Sequence, residues 1–156
     1  MEAYYFALLF HFLGLGLLCT GLFGGWIIHN RVKAATDWSK KSETMAILKQ
    51  IAVFSPLGSG VLLLTGLGNL FWIGYGWSLP LWLQIKLTVF GAAVIAGTFG
   101  GTRAKQRGKL VFQLASGSAP DHAVSTIALL ERQADALHIL QVVFLLTILL
   151  LSIVKP

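Results

Sequence analysis

The chain has 156 residues, 56% of them hydrophobic and 12% charged, with a net charge of +6. That length suits one domain, and so few charges cannot cover a water-soluble surface, where roughly a quarter of residues are charged. The basic residues fall in two short loops between apolar runs rather than in a groove-facing patch, and no nucleic-acid-binding motif occurs, so nucleic acid is excluded as the partner.

Four apolar runs are long enough to cross about 30 Å of hydrocarbon at about 1.5 Å per residue. They define spans over about 3–29, 48–73, 79–101 and 134–154. Their apolar cores, Ala3–Ile28, Ile51–Ile73, Leu79–Gly101 and Ala136–Val154, hold a single charge, Lys86. Backbone groups in lipid must pair within their own segment, so the runs are predicted as helices. The expected architecture is all-α, a single four-transmembrane-helix bundle covering residues 1–156. The N-terminus has no basic stretch before its apolar run, which is also too long for a signal peptide, so it is expected to remain as the first span.

The loop after the first span carries Arg31, Lys33, Lys40, Lys41 and Lys49, and the loop after the third carries Arg103, Lys105, Arg107, Lys109 and Arg132. The loop Gly74–Ser78 carries none. This asymmetry predicts cytoplasmic basic loops and both termini outside (N-out/C-out), as a multi-pass protein of a bacterial inner membrane. Trp72, Tyr75, Trp77 and Trp82, with Tyr4 and Tyr5, form the aromatic belt expected at the outer interface.

Glycines are dense in the first three spans and absent from the fourth. The pairs Gly21/Gly25 and Gly97/Gly101 have the spacing that lets two membrane helices approach closely. Pro56 is expected to bend the second span. Between the third and fourth spans, Lys109–Leu114 is expected on the membrane surface and Ser116–Asp121 as a loop. Asp121 is a candidate cap for a helix that starts near His122 and runs on into the fourth span.

Titratable residues inside spans are expensive and therefore mark candidate sites. His11 and His29 are 18 residues apart, five turns of a regular helix, which predicts that both point the same way about 27 Å apart. Nearby glycines place that face inside the bundle. Lys86 lies at the depth of His11, and Asn69 is close to that layer. His29 and His138 share a second layer, an arrangement suited to bis-imidazole haem ligation. Asp135, three residues before His138, is placed to orient that imidazole. Bland alternatives stand beside these readings. Lys86 has a stem long enough to snorkel to headgroups, and His29 and His138 also suit an interfacial position. His122 reads as solvated surface, and the lone Cys19 as a packing residue. No HExxH, CxxC or phosphate-binding loop is present.

The order of a histidine in span one, a Pro-then-Gly-rich span two, Trp82-Leu83-Gln84-Ile85-Lys86 opening span three, and a Leu-rich last span ending Val154-Lys155-Pro156 resembles a known family. It is the four-helix membrane superfamily of HemJ-type protoporphyrinogen oxidase, CopD-like domains and related integral membrane proteins. The resemblance implies a haem b ligand at His11 and a catalytic lysine at Lys86. The chain carries Gly21-Leu22-Phe23-Gly24-Gly25-Trp26 where HemJ-type proteins have a W-x-A-G-L-F-Y-L-P-R-L-like run. It also lacks their N-E-x-P run in the last helix, so it resembles a sister of that enzyme.

The expected function is therefore binding of haem b or a related tetrapyrrole for membrane redox chemistry, as a HemJ-like oxidoreductase. The candidate site residues are His11, His29, His138 and Asn69 for the cofactor, His11 and His138 for its metal, and Lys86 for catalysis. Expected partners are the lipid bilayer, a quinone or another membrane redox protein, and a second copy. The alternative is a cofactor-free accessory subunit packed against a larger respiratory or transport complex.

Overall fold

The structure is a computed structural model that describes residues 2–73 and 79–154. The loop 74–78, with Tyr75 and Trp77, the side chain of Trp72, and the terminal Lys155-Pro156 lie outside the described residues. Among those described, every regular element is a helix, in the order α1 (Glu2–Cys19), a π turn (Thr20–Gly24), α2 (Gly25–Ala34), α3 (Trp38–Ile51), α4 (Phe54–Ile73), α5 (Leu81–Ala115) and α6 (Ala123–Val154). Four helical stretches are long and apolar enough to cross a membrane: Tyr4–Ala34, Trp38–Leu70, Leu81–Ala115 and Ala123–Val154. Large apolar side chains point outward, with Leu64 73% and Ile153 81% exposed. Such a surface is tolerable only against an apolar solvent, which is what acyl chains provide.

The helices reach well beyond the apolar cores. At 35 residues, α5 is about 52 Å long. The basic segment after the first span is a loop only over Ala35–Asp37. Asp37 then caps α3, its carboxylate accepting from the amides of Ser39 and Lys40 at 3.4 Å. Lys40, Lys41 and Lys49 therefore ride on a helix. The segment Lys109–Leu114, expected on the membrane surface, instead completes α5. Nothing in it breaks a helix until Ser116-Gly117, where Gly117 adopts φ 71° and the chain turns. The helix leading into the fourth span starts at Ala123, as expected.

Span two is interrupted at Ala52-Val53, before Pro56. Proline has no N–H to donate back to residue 52 and its ring crowds that carbonyl, so the helix breaks there.

Packing makes two antiparallel pairs, α1 with α4 and α5 with α6, and α3 bridges α2 to α5. The first pair touches backbone to backbone. A Cβ on Gly21 would lie 2.4 Å from the Ser55 amide nitrogen, and one on Gly58 the same distance from that of Leu18. Gly97 sits under Gln141 of α6, whereas Gly25 and Gly101 face open space. Each expected glycine pair thus contributes one member to a helix contact.

Candidate functional sites at the two ends of the bundle

The π turn decides where the histidines point. A π turn takes one residue more than an α turn, so the face slips by about 100° between α1 and α2. His11 and His29 therefore do not share a face: His11 packs against α4, while His29 turns toward α5 and α6. The expectation of a common face assumed a regular helix, and the Gly-rich Thr20–Gly24 is where that regularity fails.

Near the end opposite the basic segments, His11 Nδ1 lies 2.8 Å from the Thr65 hydroxyl. Thr65 donates its own hydrogen to the Val61 carbonyl at 2.7 Å. A hydroxyl has one hydrogen, so His11 Nδ1–H is the donor in this pair and its Nε2 carries the free lone pair. Gly66 leaves room beside the ring: a Cβ there would come no closer than 3.9 Å to His11 Cε1. One turn on from Thr65, the Asn69 Oδ1 is buried with no hydrogen-bond partner among the described residues. Lys86 of α5 is within electrostatic reach of the imidazole. Of the expected layer, Lys86 thus lies within electrostatic reach of His11, Thr65 bonds His11, and Asn69 follows Thr65 by four residues on α4. Sequence reasoning missed Thr65, although its place four residues before Asn69 on one helix face was the available signal.

At the basic end the arrangement differs from expectation. Arg107 Nη1 donates to His29 Nδ1 at 2.7 Å. His29 Nε2 pairs with Asp135 Oδ1 at 2.9 Å, and Lys33 donates to Asp135 Oδ2 at 2.7 Å. Arginine has no acceptor, so His29 is fixed as the neutral Nε2–H tautomer. Both its ring nitrogens are occupied, and no lone pair remains for a metal. His29 is 6% and Arg107 2% exposed. A bare buried guanidinium is costly, and here Asp135 and Glu131 supply the counter-charge.

The Arg107 Nη2 also reaches the Met45 sulfur at 3.4 Å, and Arg103 donates to Gln133. His138 does not receive Asp135. Its ring stacks on Trp26 with centroids 4.1 Å apart and planes 13° apart. Trp26 also stands beside His29, its ring centroid 5.7 Å from that imidazole, so its indole packs against both histidines. The carboxylate expected to orient His138 orients His29 instead.

Among the described residues no three His, Cys, Asp or Glu side chains gather as a metal site. No family model, curated protein or solved structure matches the chain.

Proposed function

We propose that this four-span membrane protein binds one haem b, or a related tetrapyrrole, through His11 and uses it for membrane redox chemistry. The observation that carries this reading is the His11–Thr65 bond, which puts the ring's lone pair on Nε2 and fixes the ring. Metal-ligating histidines characteristically donate their other N–H in this way. A tetrapyrrole supplies four of its metal's ligands itself, so one imidazole suffices and no three-residue cluster is needed. Lys86 would face a propionate or a substrate carboxylate, and the unpartnered Asn69 oxygen would accept from a bound polar group. Bound there, the group would supply electron transfer to or from a quinone or a protein partner. The chain's own part is to hold the imidazole, place a cation near acidic groups and exclude water.

In this reading the basic segments face the cytoplasm, both termini lie outside, and the membrane is a bacterial inner membrane, following the distribution of Lys and Arg. The second layer is left out, because His29 has no lone pair to offer. A second reading, a cofactor-free accessory subunit, draws on the glycines at 16, 25, 60, 68, 91 and 101. A Cβ on any of them would meet nothing within 4 Å among the described residues, which suits close approach of further helices.

The test is a visible absorption spectrum of protein purified from haem-replete cells. A Soret band lost in His11→Ala supports the proposal. A colourless preparation, particularly one that brings larger membrane partners with it, supports the accessory subunit instead.

A further inference from the structure

The network at the basic end contains two buried groups whose needs match. Arg107 Nε has no acceptor and Glu131 Oε1 has no donor among the described residues. A buried polar group left without a partner is costly. The Glu131 carboxylate lies within electrostatic reach of the guanidinium. Arg107 now spends Nη1 on His29 of α2 and Nη2 on Met45 of α3. Glu131 stands on α6, packed along α5.

We propose that Arg107 is a two-position guanidinium: it holds His29 while that imidazole is neutral and moves onto the Glu131 carboxylate when His29 takes up a proton. The bond to His29 exists only because Nδ1 is a lone pair. A proton arriving from water at Nδ1 makes both ring nitrogens donors. Donor then meets donor and cation meets cation across 2.7 Å. Asp135 keeps its bond to Nε2–H, which becomes charge-assisted and stronger. Arg107 is the member expelled, and Glu131 offers it a charged acceptor.

The charged and titratable groups around His29 all bear on this exchange. Lys33 on its own helix is held by Asp135. From α5 come Arg107 and Arg103, the latter engaged by Gln133. From α6 come Asp135, Glu131 and His138, with His138 stacked on Trp26. From α3 the contact is the uncharged Met45 sulfur. Only Glu131 among these is an anion with an unmet oxygen. The exchange removes the Arg107 bonds from α5 to His29 of α2 and Met45 of α3, while the bonds of His29 and Lys33 to Asp135 keep α2 tied to α6. Acid thus loosens one tie between the two helix pairs and leaves the other.

The experiment is nitrogen NMR of the full chain in lipid nanodiscs, with histidine and arginine labelled, titrated from about pH 8 to pH 5, where histidines change charge. In the wild type, His29 should start as the Nε2–H tautomer, and the Arg107 signal should shift in step with protonation of His29. The Arg107 step should vanish in His29→Gln, which accepts a hydrogen bond but does not titrate, and in Glu131→Gln, which removes the charged destination. Three results overturn the proposal: an Arg107 signal that stays still while His29 protonates, a step that persists in Glu131→Gln, or a His29 that remains neutral down to the pH at which the protein unfolds. The wild-type titration alone decides the first and third, so the outcome does not depend on either variant folding.

Discussion

Arg107 donates to Nδ1 of His29, 78 residues away in sequence, and so fixes which ring nitrogen of that histidine carries hydrogen. The bond joins α5 to α2, and through Asp135 it reaches α6. At this end the two helix pairs are held by polar contacts, whereas α1 and α4 meet through glycine and backbone.

Asp135 is the acceptor on which the network converges. Asp135→Ala should cost about 2–3 kcal/mol, because it strands Lys33 and His29 Nε2–H and leaves Arg107 without part of its counter-charge. Lys33→Ala should cost under about 1 kcal/mol, since that ion pair is partly open to water. Thermal unfolding in detergent measures both, and equal losses would mean that the His29 branch contributes nothing.

Backbone contact between α1 and α4 leaves no room for a methyl group at Gly21 or Gly58. Gly21→Ala and Gly58→Ala should each destabilise by about 1–3 kcal/mol, the usual cost of overpacking. Gly16→Ala and Gly60→Ala meet open space and should be neutral or slightly stabilising, since alanine is the better helix former. Melting temperatures of the four variants in one detergent test the contrast.

Thr65→Val keeps shape and removes the oxygen that accepts from His11 Nδ1–H. If His11 ligates, this change should weaken tetrapyrrole affinity about 10- to 100-fold, the usual effect of losing such a supporting partner. Equilibrium titration with haem measures it. Unchanged affinity would show that the Thr65 bond plays no part in binding.

The orientation is tested with reporters. Alkaline phosphatase fused after Pro156 should be active, and the same enzyme inserted in the 116–121 loop should be inactive. The opposite pattern would invert the assignment drawn from the basic segments.

The spans were legible because long uncharged runs permit little else than a membrane helix. Depth in a span can be counted from its ends, and that count puts Lys86 near His11, within whose electrostatic reach it lies. Faces were less legible. The π turn at Thr20–Gly24 is a local departure that no apolar pattern announces, and it redirected His29. In the sequence Arg107 looks like a topology charge, because arginine is ordinarily solvated. Its position seven residues after Gly100 and four before the buried Val111 places it on the inward face of α5. That spacing was the signal that it is a buried partner. Sequence proximity pairs Asp135 with His138, but His138 is committed to stacking on Trp26, and His29 takes the carboxylate.

The role of His11 as the ligand is tested most directly by comparing Soret absorbance per protein across single substitutions of all four histidines. His11→Gln alone should remove the band, while His29→Gln, His122→Gln and His138→Gln should retain it. A band that survives His11→Gln, or that disappears in His138→Gln instead, would show that His11 is not the ligand.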